Sequence, residues 1–172
     1  MSSRTALALA LAGALAAPVA PAQTCYGDIR RSAPDARYVV NAAQRTVLDQ
    51  QTGLTWKRCL EGRSGANCGL GNTVGLTWGA ALRRAEASTH AGYKDWRVPN
   101  RKELESLVEV ACSGPAINLS VFPNDPEYGV WASSPFASYA NNAWAVHFNY
   151  GDSYYDDRSY GNNAVRLVRG GQ

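Results

Sequence analysis

Asn100-Arg101-Lys102-Glu103-Leu104-Glu105-Ser106-Leu107-Val108-Glu109-Val110-Ala111-Cys112 is the last stretch of the chain with helical periodicity, and what lies on either side of it sets the fold class. Asn100 is a favourable N-cap. Glu103 stands three positions on, where a capping box needs a side chain that reaches back to the cap's backbone N–H. Leu104, Leu107 and Val108 recur at the spacing of one buried helical face. Upstream, Thr77 caps a second predicted helix running to about residue 89, with Trp78, Ala81, Leu82 and Ala85 as its apolar stripe. Further upstream, Val47-Leu48-Asp49 and Leu54-Thr55-Trp56-Lys57 read as two short strands around a turn at residues 50–53. Downstream of Cys112 the pattern becomes short strands and turns. Trp144, Val146, Phe148 and Tyr150 alternate with Ala145, His147 and Asn149, and in a final strand Val165 and Leu167 point one way and Arg166 the other. Helices segregated from strands in this order predict an α+β fold: two helices on a mainly antiparallel sheet, with long polar loops.

The chain has 172 residues and is 45% hydrophobic, with a formal net charge of +3. Five Trp, nine Tyr and three Phe argue against disorder. The near-balanced charge excludes a nucleic-acid binder built on dense positive charge. Residues 1–22 read as a cleaved signal peptide: Arg4, an Ala/Leu run over residues 6–17, and small residues at Ala20-Pro21-Ala22. This is the only long apolar stretch, so no membrane span is expected, and the mature chain is assigned to the periplasm or the extracellular space. Residues 23–44 read as an N-terminal arm over the surface and residues 45–172 as the domain, whose core is anchored by Trp56, Trp78, Trp96, Trp131 and Trp144.

Cys25, Cys59, Cys68 and Cys112 form an even set behind an export signal, which implies two disulfides with three possible pairings. Cys59 and Cys68 flank a Gly-rich loop over residues 59–75 and are paired on that ground, leaving Cys25–Cys112. No metal is expected: there is no CxxC, and His90 and His147 are 57 positions apart.

Several ordered motifs carry a family resemblance. They are Thr52-Gly53-Leu54-Thr55-Trp56, Trp96-Arg97-Val98-Pro99-Asn100-Arg101-Lys102-Glu103-Leu104, Ile117-Asn118, Val121-Phe122-Pro123-Asn124, Trp131-Ala132-Ser133-Ser134, Ala143-Trp144-Ala145-Val146 and Val165-Arg166-Leu167-Val168-Arg169. Together they resemble the DUF1566 domain, also named for the C-terminal domain of the collagen-like adhesin Lcl, over roughly residues 45–170. The resemblance implies a C-type-lectin-like fold used in secreted and surface binding proteins, including glycosaminoglycan-binding adhesins. The Glu-Pro-Asn and Trp-Asn-Asp motifs of calcium-dependent sugar binding are absent, so that property is not implied here.

The stretch over residues 136–163 holds five Tyr, five Asn, three Asp and three Ser. Tyrosine offers large contact area with few rotors to freeze, and Asn, Ser and Asp offer adaptable hydrogen bonds. The candidate ligand-binding residues are Tyr139, Asn141, Asn142, His147, Asn149, Tyr150, Asp152, Tyr154, Tyr155, Asp157, Arg158, Tyr160 and Asn162. The competing reading is a polar loop region that solvates the end of a sheet. Thirteen Arg against three Lys after residue 22 offer a second signal, since Arg forks match sulfate and carboxylate oxygens. Arg158, Arg166 and Arg169, or Arg83, Arg84 and Arg101, could serve an anionic polysaccharide; solvated faces and codon bias are the alternative.

Catalysis is not expected. Ser133, Ser134, His147 and Asp152 supply the residue types of a hydrolase triad, but no Gly-x-Ser-x-Gly elbow frames either serine. Asp152, Asp156 and Asp157 lack calcium-loop spacing. The sequence therefore predicts a secreted, non-enzymatic module without cofactor that binds a glycan or a surface ligand. The alternatives are a protein–protein or envelope-structural module, including a retroelement-diversified variable protein, and more remotely a hydrolase.

Overall fold

In the computed structural model, which describes residues 23–124 and 129–171, the chain begins with β1 (Thr24–Cys25), a 3-10 turn (Asp35–Arg37), β2 (Tyr38–Asn41), β3 (Thr46–Asp49) and β4 (Thr55–Lys57). Helix α1 (Trp78–Glu86), a second 3-10 turn (His90–Gly92) and helix α2 (Arg101–Glu105) follow. The strand-rich half comprises β5 (Cys112–Ser113), β6 (Gly129–Pro135), β7 (Asn142–His147), β8 (Asp152–Asp157) and β9 (Val168–Arg169). The strands pair antiparallel in three sheets, β1-β5, β2-β3-β4-β9 and β6-β7-β8. The architecture is α+β, as expected, and both expected disulfides, Cys25–Cys112 and Cys59–Cys68, are formed. The expected signal peptide lies outside the described residues.

The capping box closes as the sequence requires. Asn100 Oδ1 accepts from Glu103 N at 2.9 Å, and Glu103 Oε2 accepts from Asn100 N at 2.7 Å. The helix is nonetheless short. The Ser106 hydroxyl donates to the Glu103 carbonyl at 2.7 Å, and the next amides, Leu107 N and Val108 N, bond three residues back, so the turn tightens. Leu104 and Leu107 are still fully buried. Thr77 caps α1 as expected, and Ala81 and Ala85 are buried on its inner face.

Two expectations need correction. The arm over residues 23–44 does not merely cross the surface. Its β2 pairs with β3 from Tyr38↔Asp49 to Asn41↔Thr46, β1 pairs with β5, and Ala33 and Tyr38 are core residues. The final strand is Val168–Arg169 alone, so Val165, Arg166 and Leu167 precede it; Arg166 does point away from Val165 and Leu167, packing over Phe122 of the other core cluster, and is as buried as they are.

The sheet β6-β7-β8 has apolar packing on both faces. Val130 and Val146 are cross-strand partners in one core cluster with Trp56, Leu104, Ile117 and Phe148. Trp131 and Ala145, the next pair, belong to a second cluster with Ala81, Ala85, Trp96 and Leu167. The alternation in β7 thus separates two buried sets. The small residues Ala143 and Ala145 on one face share their cluster with Ala81 and Ala85 of α1, which allows close approach of helix and sheet.

The fully buried Asp49 carboxylate receives Arg37 Nε at 2.8 Å and Arg37 Nη2 at 2.5 Å, while Arg37 Nη1 donates to the Ser106 carbonyl at 2.8 Å. Burial alone would raise the Asp49 pKa, but hydrogen bonds from Arg37 and Thr52 outweigh it and hold the carboxyl below its ordinary value. Asp49→Asn should therefore destabilise the fold by about 3–5 kcal/mol, as expected when one partner of a buried pair is removed; urea denaturation reads this directly. A depressed folded-state pKa means that the stabilisation is present above the unfolded carboxylate range, near pH 4, and is lost as pH falls through the lower folded value. Thermal melts of the parent chain should drop on acidification, and those of Asp49→Asn should show a shallower acid limb.

Candidate functional site

Strand geometry divides the candidate residues into two groups. From β7, the chain turns through residues 148–151 into β8, with Asn142↔Asp157 at one end of the pair and His147↔Asp152 at the other. Six residues of strand separate these ends by roughly 17–20 Å. Tyr139, Asn141, Asn142, Tyr155, Asp157, Arg158, Tyr160 and Asn162 belong to one end, and His147, Asn149, Tyr150, Asp152 and Tyr154 to the other. No single surface is formed by all of them.

The first end carries an aromatic cluster. The Phe136 ring lies 4.2 Å from the Tyr155 ring and 5.9 Å from the Tyr139 ring, and Tyr139 and Tyr155 are 6.1 Å apart. All three planes lie within 37° of one another. Tyr139 is 59% exposed and Tyr155 48%, with Phe136 half-buried beneath them. Trp144, the cross-strand partner of Tyr155, meets Phe136 edge-on at 5.0 Å. The Arg101 guanidinium lies over Trp144 at 4.2 Å and is steadied by Glu105 at 3.1 Å. Phe136 and Trp144 are not among the candidates read from the sequence, and Arg101 is one only as a cation for an anionic polysaccharide. Phe136 sits in a loop without periodicity, and Trp144 reads from its strand pattern as core.

Other residues at this end serve the fold. Arg158 packs its guanidinium over Trp78 at 4.3 Å and donates to the Asn142 carbonyl at 3.1 Å, so it latches β7 and β8 to α1. Asp157 Oδ1 accepts from both the amide and the hydroxyl of Ser159; these bonds lower its pKa and fix a turn. Toward the His147 end, Tyr154 is also structural: it is half-buried, and its hydroxyl donates to Asn163 Oδ1 at 2.6 Å, whose amide donates to Asp156 at 3.0 Å. Burial, with Asp156 and Asp152 nearby, pushes the Tyr154 phenol up to about 12. A Cβ at Gly129 would overlap that hydroxyl. Tyr160 and Asn162 are exposed; Asn162 lines a groove of about 490 Å³ with Thr73, Gly75 and Gly161.

At the second end the half-buried His147 ring lies 4.9 Å from Tyr150, which is 72% exposed, and 6.1 Å from Tyr154. The Asn149 carbonyl is engaged by Gly114 N at 3.0 Å. The triad residue types are not brought together. His147 pairs with Gly129, so Ser133 and Ser134 lie four and five residues further along β6, about 13 Å or more away. The Ser134 hydroxyl instead accepts from Arg101 N at 3.0 Å.

The arginines divide similarly. Arg166 is 1% exposed, donates to the carbonyls of Lys57 and Arg58 and lies 4.6 Å from the Phe122 ring centroid, so it cannot face an anionic polysaccharide. Arg169 stacks on Tyr93 at 3.7 Å and pairs with Asp95 at 2.8 Å. Arg83 and Arg84 line a groove beside α1.

This sorting of tyrosines is testable. Tyr154→Phe leaves Asn163 without its donor and should cost about 1–3 kcal/mol, whereas Tyr139→Phe and Tyr160→Phe should stay within about 0.5 kcal/mol of the parent; urea denaturation of the three variants distinguishes them.

No curated protein shows a significant match to the chain. The profile of the Lcl C-terminal domain matches residues 45–169, from the turn before β3 through β9, and the chain belongs to the Lcl C-terminal domain family.

Proposed function

We propose that the protein is a secreted, non-enzymatic glycan-binding module of C-type-lectin-like fold, and that the sugar lies on the cluster formed by Phe136, Tyr139 and Tyr155. The observation that carries this reading is the exposure of two tyrosine rings, tilted 37° to one another, that both stack on a half-buried phenylalanine, beside an arginine held in place by Trp144 and Glu105. Ring faces suit the apolar C–H faces of a pyranose, and flanking amides and phenols suit its hydroxyls. Arg101 offers donors to a hydroxyl or a uronic carboxylate. The platform is rigid before it binds: Tyr155 is in a strand, Arg101 opens a capped helix, and Asn142 N donates to the Tyr139 carbonyl at 3.0 Å to close the loop. Little ordering entropy is then lost on binding.

Export is supported by the Arg4-led apolar leader and by two disulfides, which persist in oxidising compartments. No helix among the described residues is long and apolar enough to cross a membrane. The motif resemblance to a domain of secreted and surface binding proteins favours a binding role over a catalytic one.

A glycan array followed by calorimetric titration of the best ligand tests the reading. Tyr155→Ala and Tyr139→Ala should each weaken binding by about 2 kcal/mol, as loss of a central aromatic contact does, while Tyr150→Ala at the far end of β7 should leave affinity unchanged. A folded protein that binds no glycan, or equal losses in all three variants, would overturn it.

A further inference from the structure

A concentration of positive charge lies away from the tyrosine-rich loops. Lys57 at the end of β4, Arg83 and Arg84 in the last turn of α1, and His90 line a groove of about 580 Å³ together with Glu61, Leu76 and Ala80. A smaller cavity of about 120 Å³, walled by Arg45, Arg63 and Ser64, shares Lys57 and His90 with it. Five permanent cations thus face one carboxylate, in a chain whose formal net charge is only +3.

Glu61 does not neutralise them. It is 6% exposed, its carboxylate is held by Lys57 at 2.5 Å, and Arg84 reaches it only at 3.9 Å. Arg84 remains half-exposed, and among the described residues no carboxylate pairs with Arg45 or Arg83. His90, 3.3 Å from the Arg45 carbonyl, is kept toward its neutral form by burial and by the Lys57 charge. Like charges gathered into a concave site raise one another's energy unless an anion joins them. The volume is that of a small-molecule site. Lys57 is already engaged by the Glu61 carboxylate, which leaves the arginines as the donors open to an added oxyanion.

We propose that this groove binds phosphate groups, either of a free phosphorylated compound or of a lipid headgroup. One further carboxylate would leave the groove positive. A phosphomonoester brings close to two negative charges and three strong acceptor oxygens in a compact group, and two such groups match the surplus. Arg83 and Arg84 supply planar forks for bidentate contact. The site is distinct from the aromatic platform, so its occupancy does not depend on glycan binding there.

The test uses the mature chain with two probes. Calorimetry with pyrophosphate at low salt reads a free ligand, and co-sedimentation with phosphatidylcholine vesicles, with and without phosphatidic acid, reads a headgroup. The double variant Arg83→Gln/Arg84→Gln leaves the buried Lys57–Glu61 pair intact and should weaken the productive probe at least tenfold, with an unchanged melting temperature. Arg101→Gln, on the platform, should not alter it. Pyrophosphate binding supports a soluble ligand, and binding confined to phosphatidic acid vesicles supports a headgroup. Absence of both, or binding that survives the double variant, would overturn the proposal.

Discussion

Glu109 is wholly buried, and its carboxylate accepts backbone N–H groups from Ser32 at 3.1 Å, Ala33 at 3.0 Å and Ala111 at 3.0 Å. This answers a constraint that governs the whole fold. Strands of two to seven residues leave much of the backbone outside any ladder, and buried backbone polar groups must still be paired. Side chains therefore do work that regular structure does elsewhere. Asn118 donates to the Ala33 carbonyl and accepts from Ser120 N, and the Ser32 hydroxyl bridges the Val108 carbonyl and Val110 N. The N-terminal segment is knitted into the region before β5 this way, and the Cys25–Cys112 disulfide closes the same seam covalently.

The same constraint explains the preference for arginine over lysine. Arginine carries five donors in a fixed fork and no acceptor, so it suits irregular chain that presents carbonyls inward. Arg58 donates to the carbonyls of Val121, Ala66 and Ser120; Arg97 to that of Gly170; Arg166 to those of Lys57 and Arg58. Arg166 also covers an aromatic ring, as do Arg37, Arg101, Arg158 and Arg169 elsewhere in the fold. Most of the arginine signal in the sequence therefore reports on how the chain is held together. The cations in the groove beside α1 stand out because that account does not absorb Arg45, Arg83 and Arg84.

What could be read from the sequence was whatever local chemistry decides. The Asn100–Glu103 capping box, the Thr77 cap, the β3–β4 hairpin and the Cys59–Cys68 loop each depend on residues within a dozen positions of one another, and each is present. Cys25–Cys112 followed by elimination. The arm was misread because β2 is recruited by a partner strand and its own pattern is weak: Val39 and Val40 are both exposed to a large extent, so no alternation marks it. Arg166 points away from Val165 and Leu167 as alternation requires, but its burial was not legible, because a charged residue between two apolar ones looks like one that faces solvent. Its true environment comes from β4 and Phe122, more than forty positions away in sequence.

The candidate site was legible as a composition and not as a surface. Tyrosine, asparagine and aspartate recur through residues 136–163, but a β-hairpin sends alternate residues to opposite faces and successive turns to opposite ends. Composition cannot tell a tyrosine that reaches solvent from one whose hydroxyl is spent on Asn163. Nor does it show that Trp144, by its register opposite Tyr155, becomes the support for Arg101 and for the exposed rings. Two sides of one sheet thus receive different duties. The face of Ala143 and Ala145 packs in one buried cluster with Trp131 and with Ala81 and Ala85 of α1, and the face of Trp144 and Tyr155 is open at one end, where Tyr139 and Tyr155 stay exposed. Any ligand that the aromatic platform receives meets side chains already fixed by packing from below, which is the condition under which exposed tyrosines can discriminate rather than merely adhere.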